Sequence, residues 1–168
     1  TFPQYLIFKP SMIITAILLC FYWYKNNILI NHFKNTNSKK NNFMIFGVLS
    51  ALFLALHSIL LGMETDIKIF KLLRRVVLVG FILFEIIAQS LLVINFYKLK
   101  NQLKDFFYPN ILKLKILLVS ILIFIAILSI PFLIMSGNVH FKHGLEWNYF
   151  IGVILFYLLT SLLWKKIS

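Results

Sequence analysis

The sequence predicts an all-α, polytopic integral membrane protein, a bundle of five transmembrane helices joined by short loops. Three observations predict this fold class. First, 61% of the 168 residues are apolar and only 13% are charged, whereas soluble domains are about 45–50% apolar and about 25% charged. Second, the mean hydropathy is +0.90. Third, the apolar residues form five long runs without the two-residue alternation of barrel strands, so each run predicts a helix.

The five runs have the length of membrane spans, roughly 20 residues within a range of about 17–25. They lie at residues 5–24, 43–63, 76–97, 116–136 and 147–164. The first run carries Lys9 near its start, where a lysine reaches the membrane interface. The second has no formal charge, and it places Gly47, Ala51 and Ala55 at four-residue spacing, which predicts close helix packing.

The three later runs complete the bundle. The third carries one carboxylate, Glu85, and the fourth is nearly unbroken aliphatic sequence interrupted by Pro131. The fifth has Trp147 and Trp164 at its two ends, where membrane interfaces favour tryptophan. We therefore expect residues 1–168 to form a single transmembrane helical domain.

The distribution of lysine and arginine predicts the orientation of the chain. The connections at 25–42 and 98–115 and the C-terminal tail hold four, five and two basic residues, against six on the opposite side. This bias predicts an N-terminus outside and a C-terminus in the cytoplasm, in a bacterial inner (plasma) membrane. The Asn/Lys-rich connection 25–42 is expected to be a mobile loop. Residues 98–115 form either an ordinary positive-inside loop or a stretch that lies on the anionic leaflet.

The charge and the cysteine content limit the partners. The net charge is +12, but the basic residues lie between apolar runs and form no basic domain, which excludes nucleic-acid binding. The single cysteine, Cys20, excludes an intramolecular disulfide. The expected partners are the lipid bilayer and either other membrane subunits or a second copy of the chain.

Polar residues inside the third run are the first candidates for a site. Glu85 and Gln89 share one helical face with Ala88, because residues three and four apart face the same way. We expect this face, continued by Leu92 and Phe96, to point into the bundle, since lipid leaves polar groups without partners. The face is either a ligand, ion or proton site or a set of interhelical hydrogen bonds. The residues expected to meet lipid are Ile82, Leu83, Ile86, Val93 and Ile94.

A second group of candidates lies towards the predicted outer side. His57 is the only histidine inside a run, and the segment GNVHFKHGLEWNYF contains His140, His143, Glu146 and Asn148. These side chains predict a candidate polar pocket that opens outward. Its members are Glu85, Gln89, His57, His143, Glu146 and Asn148. The alternative is a solvated loop in which Glu146 and Asn148 stabilise the N-terminus of the last helix.

The motifs leave two function classes open. No metal-binding spacing is present, one intramembrane histidine argues against haem, and no lysine lies deep in any predicted run, so the sequence identifies no cofactor. The first class is a non-enzymatic bundle that binds a lipophilic ligand, passes a small solute or serves as a subunit of a membrane assembly. The alternative is a membrane-embedded enzyme, a hydrolase or a metal-dependent one, with the outward pocket around Glu85, His57 and the 140–146 loop.

Overall fold

The computed structural model is all-helical. It describes residues 4–34, 41–60, 68–134 and 139–165; for residues 4, 5, 68, 71, 129–134, 139–143 and 145–147 it describes the backbone alone. The described part of the chain contains five helices. They are α1 (Gln4–Phe33), α2 (Asn42–Leu60), α3 (Lys68–Lys98), α4 (Pro109–Ile134) and α5 (Val139–Leu163).

Four of the five described helices are long and apolar enough to cross a membrane, which suggests a membrane protein. The four stretches are Leu6–Phe33, Asn42–Leu60, Leu72–Lys98 and Pro109–Leu128. Helix α5 contributes a shorter apolar stretch, Asn148–Leu163. Large apolar side chains are exposed along the helices, for example Leu6 at 80% and Ile154 at 65%, as in helices that are solvated by lipid.

The helices extend further than the apolar runs. Helix α1 continues to Phe33, α3 begins at Lys68 and α5 begins at Val139. The expectation of a loop is therefore wrong for residues 25–33 and for residues from Val139 onward. The physical reason is that each residue added to an existing helix gains a hydrogen bond without a new nucleation cost, so helices continue past the end of the apolar sequence.

The chain forms two compact units, Thr1–Leu91 and Leu92–Ser168. In the first unit, α1 packs along α2, and the fully buried Trp23 of α1 lies on Gly47 of α2. A Cβ atom at position 47 would collide with the indole ring, so the close approach requires glycine. Ala51 is also buried, and Ala55 is half-buried. The small-residue face of the second run therefore serves in helix packing.

Asparagines join the end of α1 to the start of α2. The Asn41 side-chain amide donates hydrogen bonds of 2.8 Å to the side-chain oxygens of both Asn27 and Asn31. The Lys34 ammonium donates to the side-chain oxygen of Asn41 over 3.2 Å. These bonds explain why the asparagine-rich sequence after the first apolar run remains ordered as helix up to Phe33.

In the second unit, α4 packs against α5, and turns at residues 99–106 lead from α3 towards α4. The main chain of this connection bonds to the end of α5. Tyr108 N–H donates to the Leu163 carbonyl over 3.0 Å, and Lys165 N–H donates to the Phe106 carbonyl over 2.9 Å. The Phe107 ring also packs edge-on against Trp164, with centroids 4.6 Å apart.

Candidate functional site

The expected interior face of α3 is confirmed. Its five residues are all 0% exposed: Glu85, Ala88, Gln89, Leu92 and Phe96. Of the residues expected to meet lipid, Leu83 and Ile94 are about half exposed (50% and 48%). The expectation is wrong for Ile86 and Val93, which are buried. The buried surface of α3 therefore includes Ile86 and Val93 in addition to the face predicted from Glu85 and Gln89.

Glu85 is the centre of a polar group in the first unit that we call the carboxyl cluster, formed by Ser50, Glu85 and Gln89. The Gln89 side-chain amide donates to Glu85 Oε1 over 3.0 Å, one helical turn along α3. The Ser50 hydroxyl of α2 lies 2.5 Å from Glu85 Oε2 and 2.8 Å from the Gly47 carbonyl oxygen. The cluster therefore joins α2 to α3 through side chains that are all fully buried.

The carboxyl cluster has one unused acceptor. Within the part of the chain that the structure describes, the buried Oε1 atom of Gln89 receives no hydrogen bond. A charged carboxylate at the centre of a membrane helix costs about 2.5–3.5 kcal/mol on insertion scales. Burial of Glu85 is therefore offset at least in part by its hydrogen bonds to Ser50 and Gln89.

His57 is buried in α2, seven residues after Ser50 in the sequence. At 1.5 Å per residue, the two positions are about 10 Å apart along the helix axis. The next residue, Ser58, donates from its hydroxyl to the Lys9 carbonyl of α1 over 3.1 Å. His57 thus lies near the end of α2, at about the level of Lys9 in α1.

The remaining members of the predicted pocket belong to α5. The side chains of His143 and Glu146 lie outside the described residues, so their convergence with Glu85 and His57 stays a prediction. Asn148 is exposed, and its amide donates to the Gly144 carbonyl over 2.8 Å. Its expected position at the helix N-terminus is wrong, because α5 begins at Val139. Among the described residues, no group of three or more His, Cys, Asp or Glu side chains could hold a metal ion.

Lys115 is a polar residue whose burial the sequence reading missed. The assignment of residues 98–115 to a loop is wrong for Lys115, which is 0% exposed within α4. The available signal was the helical spacing. Position 115 continues a row of buried residues three and four apart, namely Leu112, Val119 and Leu122. The row becomes visible only once the helix is known to begin at Pro109.

Aromatic faces surround the Lys115 ammonium; we call this group the lysine site. Its Nζ atom lies 3.8 Å from the ring centroid of Phe156 and 5.9 Å from that of Phe96. The ammonium donates to the Thr160 hydroxyl, which in turn donates to the Phe156 carbonyl over 2.9 Å. No carboxylate of the described residues pairs with Lys115, so cation–π attraction and one hydroxyl replace a counter-ion.

A surface pocket of about 290 Å³ lies in the second unit, and we call it the basic pocket. Its nine lining residues are Tyr97, Lys100, Asn101, Lys104, Phe107, Pro109, Leu112, Lys113 and Ile116. Three of them are exposed lysines, and none of these described residues is acidic. The Lys100 ammonium lies 4.6 Å from the centroid of the Tyr97 ring. The pocket therefore combines positive charge with an aromatic and aliphatic wall.

Comparison of the chain with protein-family models, with curated proteins and with solved structures finds no match.

Proposed function

We propose that the chain is a multipass membrane protein that binds an anionic phospholipid in the basic pocket. The observation that carries the proposal is the composition of the pocket wall: three lysines, no acidic residue among the described lining residues, and an apolar surface beside them. A phospholipid has the same two parts, a phosphate and an acyl chain. Basic pockets at the cytoplasmic side of membrane helices are known to receive such headgroups.

The proposed arrangement has five spans, with the N-terminus outside and the C-terminus in the cytoplasm. Helix α5 has 25 residues, which is about 37 Å of helix, longer than the hydrocarbon core of about 30 Å. In this orientation Lys100, Lys104 and Lys113 lie at the cytoplasmic leaflet, whose anionic lipids attract basic residues. The bacterial inner membrane is the proposed location.

The lysines suit a phosphate bound at an exposed site. Each Lys near an anionic membrane surface contributes about 1 kcal/mol of attraction. Three such residues would contribute about 3 kcal/mol, roughly a 100-fold change in affinity. Leu112 and Ile116 lie on the α4 side of the pocket, where an acyl chain would contact them. This apolar wall favours a lipid over a soluble anion, because free phosphate gains nothing from it.

Native mass spectrometry of the detergent-purified chain tests the proposal. Phosphatidylglycerol and phosphatidylcholine with identical acyl chains are added separately, and inorganic phosphate is added in a third sample. The pocket variant is Lys100→Gln/Lys104→Gln/Lys113→Gln. The matched control, Lys25→Gln/Arg74→Gln/Arg75→Gln, removes the same charge from exposed residues of the first unit.

We expect the wild-type chain and the control to retain phosphatidylglycerol in preference to phosphatidylcholine. The pocket variant should lose this preference by about 10-fold to 100-fold. Equal phosphatidylglycerol binding by the two triple variants would refute the pocket as the lipid site. Competition by millimolar inorganic phosphate without any dependence on the acyl chain would identify a soluble anion as the ligand instead.

A further inference from the structure

One wall of the basic pocket is formed by the connection between α3 and α4, residues 99–108. Four of the nine lining residues belong to it, namely Lys100, Asn101, Lys104 and Phe107. Residues 99–106 form turns rather than a helix. A segment without regular secondary structure has little stability of its own, so its position depends on what packs against it. The shape of the pocket therefore depends on the contacts that hold this connection in place.

The last turn of α5 and the residues after it supply such contacts; we call residues 163–165 the α5 end. The Tyr108 N–H donates to the Leu163 carbonyl, and the Lys165 N–H donates back to the Phe106 carbonyl. These two main-chain bonds run in opposite directions, as in a pair of antiparallel strands. The α5 end is therefore joined to the connection by its main chain.

An aromatic contact carries this attachment into the pocket itself. Phe107 is only 3% exposed and is one of the lining residues. Its ring packs edge-on against Trp164 of the α5 end, with centroids 4.6 Å apart, and edge-on against Phe96 of α3, with centroids 5.2 Å apart. Trp164 does not line the pocket, so it acts on the pocket through Phe107.

The α5 end also brings positive charge to the connection. The Lys165 ammonium donates to the Lys104 carbonyl over 3.1 Å and lies 5.8 Å from the centroid of the Tyr108 ring. The connection already carries the ammonium groups of Lys100 and Lys104, and like charges that are brought together repel each other. A phosphate bound in the pocket reduces this repulsion, so it favours the attached state of the α5 end.

We propose that the α5 end positions the basic pocket for its anionic phospholipid, with Trp164 and Lys165 as positioning residues. The inference rests on the proposed lipid site. An attached α5 end holds the pocket wall in the binding shape before the lipid arrives, which lowers the cost of ordering that wall on binding. By thermodynamic linkage, lipid binding must stabilise the attachment of the α5 end by the same factor.

Native mass spectrometry of the variant Trp164→Ala tests the effect of the α5 end on the lipid. Phosphatidylglycerol and phosphatidylcholine with identical acyl chains are compared. The preference for phosphatidylglycerol should fall by about 5-fold or more, although every lining residue of the pocket is still present. Trp164→Phe keeps an aromatic ring against Phe107 and should retain the preference. The matched control is Phe124→Ala, which removes an exposed ring of α4 outside the pocket and should have no effect.

Hydrogen exchange in the wild-type chain tests the reverse effect, that of the lipid on the α5 end. The amide hydrogens of Tyr108 and Lys165 make the main-chain bonds of the attachment, and NMR in detergent micelles follows their exchange. Phosphatidylglycerol should slow both by about 5-fold or more, and phosphatidylcholine should not. This measurement needs no substitution, so it decides the question even if Trp164→Ala does not fold.

The outcomes separate the positioning role from the lipid site itself. A wild-type chain without a preference for phosphatidylglycerol would refute the lipid site and the positioning role together. A wild-type preference that Trp164→Ala retains in full would overturn the positioning role alone. Exchange of the two amides that phosphatidylglycerol leaves unchanged, in a chain that prefers this lipid, would have the same meaning.

Discussion

Glu85 in the first unit and Lys115 in the second are both fully buried, but their surroundings hold them in different ways. Glu85 bonds to Ser50 and to the buried Gln89 amide, and the amide would lose this partner if the carboxyl were removed. Lys115 lies against aromatic faces, and its hydroxyl partner Thr160 has a separate bond to the Phe156 carbonyl. From this comparison we expect that removing the Glu85 carboxyl leaves a buried neighbour unpaired and that removing the Lys115 ammonium leaves none.

The largest effect is expected from charge reversal at the lysine site. Lys115→Glu places a carboxylate against the negative faces of Phe156 and Phe96. We expect the free energy of unfolding to fall by about 3–5 kcal/mol, as for other uncompensated buried charges. Unfolding of the detergent-solubilised protein by SDS, followed by circular dichroism, measures the change.

The matched control for this reversal is Lys113→Glu, because Lys113 is exposed on the same helix. Its unfolding free energy should stay within about 0.5 kcal/mol of the wild-type value. Equal losses of unfolding free energy in the two variants would show that the burial of Lys115 does not determine the cost of the charge reversal.

The two units also differ in how they tolerate a methyl group at a close contact. Gly47→Ala forces a Cβ into the buried indole of Trp23, a rigid group that cannot move away. Gly152→Ala meets the end of the flexible Leu122 side chain instead. We expect a loss of about 3 kcal/mol at position 47 and about 1 kcal/mol or less at position 152. The same SDS titration measures the unfolding free energies of the two variants. A larger loss at position 152 would contradict the view that the Trp23 ring tolerates an added methyl group less well than the Leu122 side chain.

Removing the carboxyl tests the mutual dependence of the cluster. Glu85→Leu takes away the acceptor of the Gln89 amide, which is then buried with an unpaired donor. We expect a loss of about 2 kcal/mol in unfolding free energy. Glu85→Gln keeps the shape and a hydrogen-bonding group, so its loss should be under about 1 kcal/mol.

A double-mutant cycle makes this test independent of simple overpacking. In Glu85→Leu/Gln89→Leu both partners become apolar, so most of the lost stability should return. Additive losses in the cycle would mean that the two side chains act separately, contrary to the network described here.

The smallest effect is expected when the lysine is replaced by a neutral chain of similar length. Lys115→Met keeps the unbranched shape between the rings, and Thr160 retains its bond to the Phe156 carbonyl. The unfolding free energy should change by less than about 1 kcal/mol in either direction, because apolar replacement of a buried charge is often neutral or stabilising. A loss greater than that of Glu85→Leu would contradict the difference between the two regions.

The long apolar runs predicted the approximate positions of the five described helices, and the i,i+4 spacing correctly placed Gln89 beside Glu85. The bond from Ser50 could not be predicted, because a single sequence does not say which residues of two helices lie at the same level. Lys115 was missed for a related reason. A hydropathy run begins after the last charge, whereas the helix itself begins at Pro109, where proline is favoured in the first turn.

The unequal lengths of α1 and α2 have a consequence for the bilayer itself. Helix α1 has 30 residues and α2 has 19, about 45 Å and about 28 Å of helix. Bonds from Ser58 to Lys9 and from Asn41 to Asn27 fasten the two ends of α2 to α1. The paired stretch is thus only as long as α2, close to the hydrocarbon thickness of about 30 Å. In the proposed membrane arrangement, a thicker bilayer would meet hydrophobic mismatch at α2 before α1, at a fraction of a kcal/mol per ångström. In that arrangement, the length of α2 sets the bilayer thickness that this helix pair matches, and the last turns of α1 extend beyond the paired stretch.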